Sequence, residues 1–233
     1  TKKVRQVTDG STWYDTSGGF SYEWAPDGKW FTLCFIGNKH DPYTDIGLVS
    51  ADGGKITNLT NSGYTSESPR WVLDGNAIMF STERYGMRAH ASWGSQNDVM
   101  LAFVNQDAFD KFNLSKEDYE LQKELEKEQK KAEKEDAKEN KKGKDEAKKE
   151  EVKPINVELA GIEDRIVRLT PNSSELGDAI LSKDGETLYY LAAFENKFDL
   201  WKMDLRKHET KLLHKTNSDW ANLSLDKEGK TLF

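Results

Sequence analysis

Between Glu83 and Asn97 the chain gathers two arginines, a histidine and two aromatics among small residues: Arg84, Tyr85, Arg88, His90 and Trp93. Guanidinium groups at that density match the planar geometry of carboxylates and peptide carbonyls. Arg84, Arg88, His90 and Trp93 are therefore candidate peptide contacts. The same composition also serves an ordered loop in which Trp93 and Tyr85 simply cap a neighbouring sheet. The other histidines, His40, His208 and His214, are scattered, and Cys34 stands alone inside the apolar run Phe31 to Ile36. With one cysteine, no internal disulfide or thiol cluster can form, and Cys34 reads as a small buried hydrophobe. The sequence holds no G-x-S-x-G nucleophile elbow, H-E-x-x-H zinc helix, P-loop or dinucleotide glycine fingerprint. The expectation is a chain with no catalytic, cofactor-binding or metal-binding residues of its own.

The elements that must position that loop are written as a repeat. Each unit opens with a hydrophobic residue and Thr, enters an Asp-Gly turn from an apolar strand, leaves by a second strand, and after a polar loop reaches an Asp that begins a third. The first copy has Val7-Thr8, Asp27-Gly28, Phe31 to Phe35 and Asp45 to Val49. The second has Leu59-Thr60, Asp74-Gly75, Ile78 to Phe80 and Asp98 to Leu101. The third has Leu169-Thr170, Asp184-Gly185, Leu188 to Leu191 and Asp199 to Trp201, and a fourth begins at Lys215-Thr216 and stops soon after Glu228-Gly229. Asp-Gly supplies the left-handed backbone of a type I′ hairpin turn, and β-branched and aromatic residues flank it. Three to four short strands in about 45 residues make one β-propeller blade. Turn spacings of 47 (Asp27 to Asp74) and 44 (Gly185 to Gly229) fit one blade, whereas the 110 from Asp74 to Asp184 leaves room for a blade and an insertion. A plain β-sandwich does not require the same order of Thr, turn and Asp in each unit.

The insertion is visible in composition. Residues 116–153 hold 13 Lys and 14 Asp/Glu, leaving 21 Lys/Arg against 27 Asp/Glu elsewhere in a chain of net charge −7. An acidic body argues against a nucleic-acid partner. Phe109 and Phe112 sit at helical spacing, Ser115 with Asp118 forms a capping-box pattern, and Glu126 and Lys130 are placed for an i,i+4 pair. Beyond Leu125 apolar residues nearly vanish, so the run is a solvated helix or disordered, either an interaction arm or a surface elaboration of one loop. Ile155 to Leu159 reads as the returning strand. The fold expected is all-β, a partial β-propeller of four-stranded blades with one long charged helical or disordered insertion. Residues 1–112 hold blades 1 and 2, 113–154 the insertion within blade 2, and 155–233 the end of blade 2, blade 3 and a truncated blade 4. No apolar stretch approaches a membrane span. Thr1 and the strand pattern broken at Phe233 lead to the expectation of a piece of a longer protein, with cytoplasm and periplasm both open.

The segments Trp24-Ala25-Pro26-Asp27-Gly28-Lys29 and Ala51-Asp52-Gly53-Gly54, followed by Leu59-Thr60, resemble the TolB-like, WD40-like propeller repeat. Arg84-Tyr85-Gly86-Met87-Arg88, His90-Ala91-Ser92-Trp93-Gly94-Ser95 and Gly161 to Leu169 resemble tricorn-type proteases, large serine peptidases of the S41 class. The resemblance covers essentially all but residues 120–153, and the charged insertion departs from it. It implies a propeller segment that filters peptides for a catalytic core elsewhere in a homo-oligomeric parent, with peptides or unfolded polypeptide and the parent's other domains as partners. A TolB-type protein-binding propeller and the propeller cap of a prolyl-oligopeptidase-like hydrolase are the competing readings.

Overall fold

The computed structural model describes residues 3–10, 12, 21–38, 41–90, 93–94, 96–139, 154–195 and 197–233, without the side chains of 89–90, 93–94, 130 and 133–139. Three four-stranded antiparallel sheets follow one another along the chain. The first consists of β1 (Tyr22–Trp24), β2 (Trp30–Phe35), β3 (Asp45–Ser50) and β4 (Thr57–Asn58) in sequential order. The second is built from β5 (Ser66–Val72), β6 (Ala77–Thr82), β9 (Asp98–Phe103) and β10 (Ile166–Arg168). A side hairpin, β7 (Arg88–His90) and β8 (Trp93–Gly94), rises between β6 and β9, and helices α1 (Gln106–Phe112) and α2 (Lys116–Glu139) lie between β9 and β10. The third sheet is β11 (Glu175–Leu181), β12 (Thr187–Ala193), β13 (Phe198–Asp204) and β14 (Glu209–Ser218). A fourth hairpin begins beyond it, where Ser224 and Phe233 exchange backbone hydrogen bonds of 3.0 and 2.8 Å. The architecture is all-β with a helical insertion, and its consecutive sheets are propeller-like.

The period of two in β6 and β9 stacks these sheets. Ile78, Phe80, Met100 and Ala102 pack with Ile46, Leu48 and Leu59 of the first sheet. Their alternates Ala77, Met79, Val99, Leu101 and Phe103 pack with Leu181, Leu188, Tyr190 and Met203 of the third. The middle sheet is thus buried on both faces and reads as continuous apolar runs, although antiparallel. A third cluster, Phe31, Leu33, Phe35, Val49 and Ile56, lies on the far face of the first sheet with Val7 against it.

The Asp-Gly turns differ from the two-residue type I′ expectation. Gly28, Gly185 and Gly229 have φ of +68°, +73° and +73°, but Asp27, Asp184 and Glu228 stay outside the left-handed region. Gly28 N donates to Ala25 O at 2.9 Å, Gly185 N to Ser182 O at 2.9 Å and Gly229 N to Asp226 O at 2.9 Å. Each loop is a type I turn closed by a left-handed glycine, the usual solution for a four-residue hairpin loop. The second copy alone places Leu73, Asp74 and Gly75 all at positive φ.

The insertion begins as a packed element. Asn105 caps α1 by accepting from Ala108 N at 2.9 Å, and Phe109 and Phe112 place their rings 5.8 and 5.0 Å from Phe103. Ser115 caps α2, its Oγ accepting from Asp118 N at 3.1 Å and donating to the Asp118 carboxylate at 2.8 Å. Glu126 pairs with Lys111 of α1 at 2.5 Å, and the expected Glu126–Lys130 pair involves a side chain that lies outside the described residues. The returning strand is β10, not 155–159. Ile155 and Val157 do pack on the core between the first two sheets, but Glu158 N to Val104 O, 2.8 Å, is the backbone bond that ties this stretch to the end of β9. Gly161 at φ +66° and a 3-10 turn at Ile162–Arg165 then redirect the chain into β10.

Candidate functional site

The 83–97 loop stands at the sheet end opposite the helices, wedged between the links on either side of it. Glu83 is buried and accepts from Thr65 N at 3.3 Å. Arg88 sits 3.7 Å from that carboxylate, with its guanidinium carbon 4.6 Å from the Tyr64 ring centre. On the other side Asn97 and Ser174 exchange backbone bonds of 2.7 and 3.2 Å. Met87 N donates to Gln96 Oε1 at 3.2 Å. A Cβ on Gly86 would lie 2.0 Å from Gln96 O, so only glycine lets the loop close this tightly.

This geometry divides the candidate residues. Arg88 is half-buried and anchors the loop. Arg84 and Tyr85 are exposed, with the Arg84 guanidinium carbon 5.6 Å from the Tyr85 ring centre and that of Arg168 at 5.1 Å. His90 and Trp93 pair in register across the β7–β8 hairpin, and their side chains lie outside the described residues. Of the remaining histidines, His208 is exposed in the turn before β14, His214 is exposed within β14, and His40 lies outside the described residues. Cys34 is half-buried against the core between the first and second sheets. Among the described residues no group of three or more His, Cys, Asp or Glu side chains is arranged to hold a metal ion.

A second feature lies on the first strands of the sheets and is invisible as a motif. Glu23 of β1 accepts from Trp71 N at 2.6 Å through Oε2, while Trp71 Nε1 donates to Glu23 O at 3.3 Å. Arg70 of β5 reaches Asp178 Oδ1 of β11 at 3.0 Å and Ala179 O at 3.4 Å. Asp178 Oδ2 in turn accepts from Leu223 N at 2.8 Å. Each first strand is thereby tied to the next sheet by a side chain, occupying edge groups that would otherwise seek a foreign strand. Burial pushes the Glu23 carboxyl above the usual carboxylate range, opposed by the Trp71 N–H and the Arg70 charge.

Beside this relay β5 and β11 both break register, between Glu67 and Arg70 and between Leu176 and Asp178. Ser68 at φ +55° and Pro69 fall in the first break, Gly177 in the second. The paired bulges open a cleft of about 300 Å³ with Met79, Val99 and Leu176 in its wall and Glu67, Arg70, Asn97, Asp178 and Asn222 at its polar positions. Asn97, the last residue of the loop, also lines this cleft. The Ser68-Pro69 and Gly177 interruptions were the available sequence signals, since Pro and Gly inside a strand mark bulges.

No family model matches the chain. An uncharacterized protein of Agrobacterium fabrum is 38% identical over 63 residues, 27% of this chain and 20% of that protein. An uncharacterized peptidase, YuxL, of Bacillus subtilis is 34% identical over 56 residues, 24% of this chain and 8% of that protein. The chain therefore spans a fifth or less of the length of these curated relatives. Among solved structures the tricorn protease superposes on 91% of this chain and 19% of its own with a TM-score of 0.54 at 10% identity. TolB from Acinetobacter baumannii covers 98% of this chain and 37% of its own with a TM-score of 0.48 at 14% identity. The tricorn match is a likeness of fold: consecutive four-stranded sheets stacked face to face.

Proposed function

We propose that this chain is a non-catalytic propeller segment of a tricorn-like serine peptidase, with blades that guide peptides to a catalytic core outside it. The observation that carries the reading is the cleft at the paired bulges, where the Arg70–Asp178 pair and Asn97, the last residue of the loop, stand over an apolar wall. Amides, carboxylates and a guanidinium over an apolar wall suit an extended peptide, which brings backbone donors, acceptors and side chains together. The likeness to the tricorn protease fold and the short match to a peptidase support the hydrolytic setting. Arg84, Arg88, His90 and Trp93 are its peptide-side residues, with Arg88 positioning the loop and Arg84 contacting ligand.

Fluorescence anisotropy with a labelled unstructured peptide tests this. The intact chain should bind saturably without cleaving the peptide, and Arg84→Ala and Trp93→Ala should each weaken binding several-fold. A chain that ignores unfolded peptides and captures a folded protein would instead be a protein-binding propeller.

A further inference from the structure

The turn between β5 and β6 departs from the form that the other three turns share. Leu73 and Asp74 both have φ of +54° and Gly75 has +89°, whereas Asp27, Asp184 and Glu228 stay outside the left-handed region. Consecutive non-glycine residues in that region are strained, and such strain persists only where the surroundings impose it. The ordinary turn also uses its Asp, since Asp27 Oδ1 accepts from Lys29 N at 2.9 Å and Asp184 Oδ1 from Glu186 N at 3.0 Å. Asp74 is exposed and has no hydrogen-bond or ion-pair partner among the described residues. Asn76 N donates to Leu73 O at 3.0 Å instead.

The insertion grips this turn from both of its ends. At its start Asn105, which caps α1 and is buried, donates from Nδ2 to Asn76 Oδ1 at 3.0 Å, and Asn76 Nδ2 donates to Leu73 O at 2.8 Å. At its end Asn156 O accepts from the same Asn105 Nδ2 at 3.4 Å, and Ile155 N donates to Asp27 Oδ2 at 2.9 Å. Ile155 Cδ1 fills the place that a Cβ on Gly75 would take. In the two later turns that seat belongs to the turn before. Leu73 Cδ2 stands 2.7 Å from where a Cβ on Gly185 would lie, and Lys183 stands 3.0 Å from the same place on Gly229. Pro26, the equivalent residue of the first turn, is held off to 3.4 Å from Gly75. Leu73 therefore links the gripped turn to the third sheet.

We propose that the β5–β6 turn is a two-state element set by the insertion. With the insertion docked, Ile155 and Asn105 hold it left-handed. When they let go, it relaxes to the form of the other three turns, with the Asp74 carboxylate accepting from Asn76 N. Leu73 carries the change to Gly185, so a load on the charged helix α2 is felt where the second and third sheets stack.

The test is nuclear magnetic resonance of the intact chain, using backbone couplings that separate a left-handed φ from a negative one at Leu73 and Asp74. Both residues should be left-handed in the wild type. Ile155→Ala removes the wedge and should move the ratio of the two forms toward the relaxed turn by about tenfold or more, with Ile155→Val moving it far less. Lys123→Met frees α2 from Glu186 without touching the turn and should move the ratio in the same direction. Asp74→Gly relieves the strain and removes the carboxylate that the relaxed turn needs, so it should keep the left-handed form even when combined with Ile155→Ala. Asp74→Gly should also raise the melting temperature, whereas Asp184→Gly, in an ordinary turn, should lower it. Fold damage does not produce that difference in sign. Negative φ at Leu73 and Asp74 in the wild type, a turn unchanged in Ile155→Ala and Lys123→Met, or an Asp74→Gly chain that melts below the wild type would each overturn the proposal.

Discussion

In the first two sheets the Asp and Thr of the repeat are partners rather than separate signposts, whereas in the third Thr216 Oγ1 donates to Phe198 O. Thr60 Oγ1 donates to Asp45 Oδ1 at 2.7 Å, and Thr170 Oγ1 to Asp98 Oδ1 at 2.7 Å. In both sheets the hydroxyl also accepts from the residue after the Asp, Ile46 N at 3.1 Å and Val99 N at 3.2 Å. The threonine that opens a unit in the sequence therefore closes the preceding sheet, joining the end of its fourth strand to the start of its third. Asp98 has the fullest set of donors, with Arg168 Nε at 3.0 Å and Ser173 Oγ at 2.7 Å added to Thr170. Asp45 has Asn58 and Thr60, while Asp199 accepts from Asn217 N at 3.2 Å. Stability losses on substitution by Ala should follow that order, about 3 kcal/mol or more for Asp98→Ala and least for Asp199→Ala, because buried donors are left unpaired. Thr170→Val should cost about 1 kcal/mol. Urea-denaturation midpoints check the ranking, and equal losses at the three positions would refute it. Recurrence of these residues was legible in the sequence. Their pairing was not, because a separation of 15 residues in the first sheet becomes 72 in the second, where the insertion intervenes.

At the scale of elements, the two helices of the insertion are held by different forces. α1 buries Phe109 and Phe112 against Phe103, an apolar contact indifferent to salt. α2 docks through polar groups, with Lys123 bonded to Glu186, Tyr119 OH 3.5 Å from Asp184 O and Glu126 on Lys111, while Leu121 and Leu125 are exposed. Partly exposed ion pairs of this kind contribute about 0–1 kcal/mol each. Replacing 120–150 with a short Gly/Ser loop should therefore lower stability by less than about 2 kcal/mol and keep one cooperative transition, which a thermal melt checks. Hydrogen exchange should show protection in 116–126 falling in 0.5 M salt while 106–112 is unaffected. For Asp184, burial pushes the carboxyl up, but the Ser182 hydroxyl, the Glu186 N–H and the Lys123 charge outweigh it and hold it below the ordinary range. Its contribution is thus present above the unfolded carboxylate value and lost as pH falls through the lower folded value. The Glu186 hydrogen bond, opposed by burial, holds Lys123 above its ordinary value, so that contribution persists to high pH. Acid, below about pH 4, should release α2, and moderate base should not. The helix cap at Ser115 and the aromatic spacing of α1 were readable locally. The docking face of α2 was not, because its partners lie on turns some 60 residues away in sequence.

For the whole molecule, stacking was encoded most directly in the middle sheet, where both alternate faces of β6 and β9 are apolar. Leu101→Ala, at a fully buried position between sheets, should cost about 3–5 kcal/mol in the same urea assay. Sheet edges follow a different logic. The outermost strands of the first two sheets, β4 and β10, span two and three residues, too short to template a foreign strand. β14 spans ten, nearly all exposed, and carries Leu212 and Leu213 among Lys211, His214 and Lys215. A long edge with paired leucines favours association, and the flanking lysines oppose it by charge repulsion. Trp220 and Phe233, at 75% and 71% exposure, add apolar surface in the segment that follows. Raising salt screens the lysines and leaves the leucines, so self-association should increase from 0.05 to 0.5 M NaCl. Light scattering over a concentration series at both salts measures it. Leu213→Lys should shift the chain back toward monomer at either salt without changing its melting temperature by more than a few degrees, because the residue packs on no core. A wild-type chain that remains monomeric at high concentration and high salt would mean that the β14 edge is already closed by its own twist and register breaks, and that the leucines there are inert.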